Sequence, residues 1–207
     1  MKTLNSAKLY ASFASFRRSV VLEQTSQTKL QSRVRDTLRK LGAPADFVDH
    51  RRLPVYADAS KLAIADVSAS GREHLLVPEA AASWKRMREA AKADGVSLII
   101  ISAFRSFDRQ YKLVSEKLNR GETIQEVFAV MAPPGCSEHH TGRALDVGTL
   151  GYEPVSEEFA ESTAFHWLTG NAARFGFRLS LPRDNLWGFD YEPWHWCYHE
   201  RSTYAER

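Results

Sequence analysis

The sequence predicts a small α+β fold: an antiparallel sheet carrying the chemistry-bearing residues, helices packed on its opposite face, and a helical extension at the N-terminus. Three observations predict it. Val96-Ser97-Leu98-Ile99-Ile100-Ile101 is a β-branched run that directly follows a segment of helical periodicity. From residue 142 to 147 small or acidic side chains alternate with larger ones, so Gly142, Ala144 and Asp146 share one strand face and Arg143, Leu145 and Val147 the other. Before residue 50, apolar residues recur at helical spacing. The chain has 207 residues, 43% of them hydrophobic and 26% charged, enough for one domain with an extension. We divide it into a helical extension, 1–50, and a main domain, 51–207.

In the extension, Leu9, Phe13, Phe16 and Val20 suggest one apolar helix face, and Leu30, Val34, Leu38 and Leu41 mark a second. Basic residues gather at the end of the second, and Gly42 and Pro44 stop it. Residues 54–67 read as extended or hairpin-like. Pro78, at a first-turn position, opens a helix whose face is Ala80, Trp84, Met87 and Ala91, and Gly95 ends it. A buried strand over Val96–Ile101 then delivers Ser102-Ala103-Phe104-Arg105-Ser106, where Ser106 and Asp108 can cap a helix carrying Phe107, Tyr111, Val114 and Leu118. Thr123 with Glu126 has the capping-box spacing. Pro133-Pro134-Gly135 forces a turn into the stretch 137–147. Beyond it a helix, a glycine and a strand follow through residue 177, with Trp167, Phe175 and Phe177 read as core.

Composition excludes several classes. A net charge of +3 without any Lys/Arg run longer than a pair gives no basis for nucleic-acid binding. No apolar run is long enough for a transmembrane helix. Lys2 and Lys8 precede Leu9–Phe16, but Tyr10, Ser12 and Ser15 interrupt that stretch and Arg17 and Arg18 follow it, so no export signal is visible. Two cysteines, Cys136 and Cys197, cannot form a disulfide framework, and reduced thiols are the expectation. Because both lie near the candidate site in sequence, a Cys197 thiolate ligand that would close a structural metal site and a Cys136–Cys197 disulfide stay open as alternatives.

The stretch Ser137–Val147 suits a divalent metal. His139 and Asp146 are separated by six residues, and the strand face leading to Asp146 is nearly bare, so a loop carrying His139 can fold over it and bring imidazole and carboxylate to one ion. The best third ligand is His195, which follows Glu192 by three residues in Glu192-Pro193-Trp194-His195. His140 and His166 are rival ligands. His50, His74 and His199 carry no pattern.

Ser137, His139, Gly142, Ala144 and Asp146 in S-E-H-x-x-G-x-A-x-D, followed by Glu192, Trp194 and His195 in E-P-W-H, resemble the zinc peptidases of the VanY-type D-alanyl-D-alanine carboxypeptidase group, which includes VanX-like D,D-dipeptidases. SAFRSFDRQY resembles the family's S-x-Y-R-S-x-x-x-Q segment, with Phe104 in place of the tyrosine. Residues 167–177 are also similar to the family, whereas the N-terminal fifty are not.

The resemblance implies one Zn²⁺ per chain on His139, Asp146 and His195, Glu192 as general base, and Arg105 facing the scissile carbonyl. It further implies Ser137 and Gln110 as substrate contacts beside Arg105. The implied substrate is a peptidoglycan stem peptide or a precursor ending in D-Ala-D-Ala, and the implied reaction removes the terminal D-alanine. An L,D-carboxypeptidase, a D,D-dipeptidase, a phage-type endopeptidase and a non-catalytic zinc-bearing wall-binding module share these ligands and stay open. The chemistry fits the residue types. Three-ligand zinc brings the pKa of water toward about 7 and polarises a carbonyl, a carboxylate can take and return the proton, and a guanidinium can stabilise the developing oxyanion. The substrate class points to the cell envelope, while the N-terminus shows no leader.

Overall fold

The computed structural model describes residues 24–200, and the apolar face and leader features read from residues 1–23 lie outside them. Helix α1 covers residues 24–40 and is followed by the short α2 (Phe47–His50). Strands β1 (Ala63–Val67) and β2 (Glu73–Leu76) pair as an antiparallel hairpin. Helix α3 (Pro78–Ala93) leads to β3 (Ile99–Ser102), and α4 (Phe107–Asn119) and α5 (Ile124–Val130) come next. Strand β4 (Ala144–Gly148), helix α6 (Thr163–Asn171), β5 (Phe177–Leu179) and β6 (His195–Tyr198) complete the list. The main sheet has the order β3-β4-β6-β5, and every neighbouring pair is antiparallel. This is the predicted α+β architecture. Among the described residues no helix is long and apolar enough to cross a membrane.

Local sequence explains the elements. Pro78 stands at the start of α3, where a missing N–H costs nothing, and Ala80, Trp84, Met87 and Ala91 are all completely buried. In α4 the Ser106 hydroxyl accepts the Arg109 N–H, while Asp108 turns away to pair with Arg33 at 2.6 Å. The Thr123–Glu126 capping box is formed as the spacing predicts. The strand expected over Val96–Ile101 is shorter and displaced: β3 covers Ile99–Ser102 at the edge of the sheet, and Ile99 is 38% exposed. The strand is covered on one face only, with Ile100 buried and Ile99 facing out, where a β-branched run had implied burial on both. Phe177 is fully buried, and Trp167 and Phe175 pack half-buried beside it.

Two hydrophobic cores result among the described residues. The first joins α3, α6 and the sheet through Trp84, Met87, Leu145, Val147, Phe159, Leu168 and Phe177. The second joins α1, α4 and α5 through Val34, Leu38, Phe107, Val114 and Phe128, with Leu30 and Leu41 along its margin. Trp84 lies at the centre of the first core, with no exposed surface. Trp84→Ala is expected to cost about 3–5 kcal/mol through lost burial and a residual cavity, read as a shift of the denaturant midpoint.

Candidate active site

The register of the sheet puts Asp146 directly opposite His195 on the paired central strands β4 and β6, so their side chains leave one face side by side. His139 arrives from a 3₁₀ turn, Glu138–Thr141, that ends at Gly142. Gly142 has φ +64°, and a Cβ there would press on Leu62 and Val77, so glycine lets the turn close tightly against the start of β4. The Arg105 N–H donates to the His139 carbonyl, which ties this turn to the end of β3.

Both histidines present a defined nitrogen. His139 Nδ1–H donates to the Ala103 carbonyl at 2.7 Å, leaving the Nε2 lone pair 3.3 Å from Asp146 Oδ2. His195 is reversed: Nε2–H donates to Glu138 Oε2 at 2.9 Å, and Nδ1 lies 3.1 Å from Asp146 Oδ1. The ligand atoms offered by His139, Asp146 and His195 all lie within 4.8 Å of one another, and all three residues are buried. Nitrogen and oxygen ligands at about 2.0–2.2 Å on tetrahedral corners stand roughly 3.3–3.6 Å apart, close to the 3.3 and 3.1 Å that separate the two imidazoles from the Asp146 carboxylate, so this donor set fits a small divalent ion.

The electrostatics also favour bound positive charge. Burial would push the Asp146 carboxyl up, but the flanking imidazoles overcome it and hold the group well below the usual carboxylate range. Burial brings His139 down to about 4, against the pull of Asp146, so its imidazole is neutral at pH 7. His195 goes the other way. Although burial opposes it, the hydrogen bonds to Asp146 and Glu138 carry it up to about 10. Three carboxylates, Glu138, Asp146 and Glu192, thus approach one imidazole, and Arg105, 3.6 Å from Asp146, supplies the guanidinium among them.

Glu192 occupies the Pro-bearing turn before β6, where the His195 N–H donates to its carbonyl and its Oε2 lies 3.8 Å from His195 Nδ1. Burial pushes this carboxyl up to about 7, with His195 pulling against it. Arg105, half-buried at the strand-to-helix turn, donates through Nη1 to Gln110 Oε1 at 3.0 Å. Gln110 is completely buried and its Nε2 donates to the Ala132 carbonyl at 2.7 Å, so both ends of its amide bond to the protein. Ser137 is buried beside the cavity and its hydroxyl does not cap the 3₁₀ turn.

The rival ligands lie elsewhere. His140 Nδ1–H donates to the Arg105 carbonyl at 2.6 Å and its Nε2 accepts the Gly135 N–H at 3.0 Å, which joins the Pro133-Pro134-Gly135 turn to Arg105. His166 faces its own helix through the Ser162 carbonyl. Cys136 and Cys197 are free and buried, and neither belongs to the three-residue cluster. Burial raises both thiols, Cys136 to about 12.

A cavity of about 540 Å³ opens over these groups. The acids Glu138, Asp146 and Glu192 line it together with Arg72, Arg105, Arg109 and Lys117, and Trp187, Phe189 and Met131 supply apolar wall. Sequence reasoning missed two residues that organise the elements around the cavity. Asp58 accepts the Phe107 N–H at 2.9 Å and so helps to start α4. Glu138 is bonded to His195 across 57 residues. Neither has a local pattern that announces its partner.

Residues 73–201 match the family model VanY, D-alanyl-D-alanine carboxypeptidase. The chain is 34% identical over 120 residues to a D-alanyl-D-alanine carboxypeptidase of Enterococcus faecalis (strain ATCC 700802 / V583), covering 53% of this chain and 43% of that protein. It spans about half the length of the curated relatives it matches. Among solved structures, the LdcB LD-carboxypeptidase, described with its basis of peptidoglycan recognition, superposes with TM-score 0.62 at 33% identity, covering 70% of this chain and 71% of that one. A variant of the vancomycin-resistance D,D-pentapeptidase VanY in complex with Zn(II) gives TM-score 0.54 at 29% identity, covering 70% and 82%.

Proposed function

Because the chain belongs to the VanY family of D-alanyl-D-alanine carboxypeptidases, we propose that it is a zinc-dependent D,D-carboxypeptidase that removes the terminal D-alanine from peptidoglycan stem peptides or their precursors. The observation that carries this reading is the convergence of His139, Asp146 and His195 with Glu192 and Arg105 in the lining of a single cavity. A binding module needs the pocket but has no use for a buried carboxylate beside the ligands. Zinc held by three protein ligands acidifies water and polarises a carbonyl.

The other roles fall to the chain's own side chains. His139 Nε2, an Asp146 oxygen and His195 Nδ1 would hold the ion. Glu192 takes the proton of the attacking water and returns it to the departing amine, a double role open to a carboxylate whose Oε2 lies 3.8 Å from His195 Nδ1 beside the proposed ligands. Arg105 faces the carbonyl and meets the anion that develops on its oxygen. Gln110 holds the Arg105 guanidinium in place, so its part in substrate binding is indirect. The Ser137 hydroxyl, free of a capping role, faces the substrate.

A second reading has a specific observation behind it. The LdcB neighbour superposes with the higher TM-score of the two structures compared, which favours an L,D-carboxypeptidase acting on a tetrapeptide. Release of free D-alanine separates the two. Incubated with zinc-loaded protein, a stem pentapeptide ending in D-Ala-D-Ala is expected to lose one D-alanine, and chelation is expected to abolish this. Release from the tetrapeptide alone would transfer the assignment to the L,D activity. Intact pentapeptide, tetrapeptide, free dipeptide and cross-linked wall, with zinc bound one per chain, would leave a non-catalytic wall-binding module.

A further inference from the structure

We propose that Glu138 is a positioning residue for His195: its carboxylate, anchored by Ser180, holds the imidazole through Nε2–H and thereby turns Nδ1 toward the metal. The inference rests on the zinc reading above. Glu138 Oε2 accepts two hydrogen bonds, from His195 Nε2–H at 2.9 Å and from the Ser180 hydroxyl at 2.6 Å, and its side chain is only 15% exposed. Its backbone is equally fixed, since Thr141 Oγ1 donates to the Glu138 carbonyl at 2.6 Å within the 3₁₀ turn.

The arrangement is asymmetric in a way that matters chemically. The outer nitrogen of His139 meets a neutral backbone carbonyl, whereas the outer nitrogen of His195 meets a carboxylate. A carboxylate behind an imidazole fixes its tautomer and ring orientation and makes its other nitrogen a stronger donor. Glu138 sits at Nε2 of the ring whose Nδ1 faces Asp146, so it backs His195 and does not join the ligand set. Adjacent residues therefore serve the ion in different ways, His139 by its own ring and Glu138 through the ring of His195. The Ser180 corner connects this support to the base, because the next residue, Leu181, accepts the Glu192 N–H through its carbonyl at 3.1 Å.

The test compares zinc affinity, measured by competition with a chromophoric chelator, and the visible absorption of the cobalt(II)-loaded protein in wild type, Glu138→Gln and Glu138→Ala. Glu138→Ala is expected to bind zinc about 10–100-fold more weakly with an altered cobalt spectrum, and Glu138→Gln, which keeps an acceptor but no charge, to fall between it and wild type. Glu138→Ala binding zinc within about twofold of wild type, with an unchanged cobalt spectrum, would overturn the proposal. If Glu138→Ala does not fold, Ser180→Ala decides: weakened zinc binding supports the proposal and undiminished binding overturns it. A wild-type protein without a one-to-one metal site would bring down the zinc reading, and this inference with it; an intact wild-type site with an indifferent Glu138 would bring down the inference alone.

Discussion

Glu192→Gln is expected to keep its fold and one zinc per chain while D-alanine release falls by about 10²–10⁴-fold. The substitution is close to isosteric, so the backbone contacts that set the turn persist: the Glu192 N–H to the Leu181 carbonyl and the His195 N–H to the Glu192 carbonyl. What disappears is, among the described residues, the carboxylate beside the proposed ligands that has no assigned ligand or anchoring duty and can accept a proton. Glu138 bonds to His195 and Ser180, and Asp146 lies between the two histidines. Neither can substitute without releasing a histidine. Removing one of three crowded carboxylates also relieves repulsion, so stability is not expected to fall. Metal analysis and D-alanine assay on the same preparation check the split, and undiminished turnover would mean that the base lies elsewhere.

The cluster was legible in the sequence because two of its spacings are short. His139 to Asp146 spans one turn and part of one strand, and Glu192 to His195 spans one Pro-bearing turn, so local geometry fixes which side chains can meet. An antiparallel sheet carrying the chemistry-bearing residues was the expectation, and the register pairs Asp146 directly with His195. Glu138 was not legible. Its partner lies 57 residues away, and nothing in a glutamate next to a ligand histidine separates a support from a solvated charge. Gln110 is a different case. The resemblance implied a substrate contact, whereas its hydrogen bonds to Arg105 and to the Ala132 carbonyl, which no sequence pattern pairs with it, come from the fold. The displaced strand has the same origin: hydrophobic content predicted burial, but whether a strand lies at an edge depends on which strand pairs beyond it.

His195→Ala is expected to abolish stoichiometric zinc binding and, with it, the stabilisation that zinc confers. Two effects act together. The first is loss of a ligand: with His139 and Asp146 alone, the donor set falls below the three protein ligands of a catalytic zinc site. The second concerns the carboxylates left behind. His195 is the hydrogen-bond partner of both Glu138 and Asp146, and Asp146 is 4% exposed, so removing the imidazole leaves buried negative charge with Arg105 still 3.6 Å from Asp146. Breaking a buried ion pair from one side typically costs about 3–5 kcal/mol. Mutual repulsion of the acids adds to that cost, while water entering the space of the lost ring reduces it. The combined result is separable by titration with metal. Wild-type protein should unfold at a higher temperature as zinc is added, because an ion that binds the folded state alone adds its binding energy to stability. His195→Ala should start lower and show no such rise, and Glu192→Gln should follow wild type. A zinc-dependent rise of wild-type size in His195→Ala would mean that another residue completes the site; the nearest alternative, Glu138, would then be the ligand to remove next.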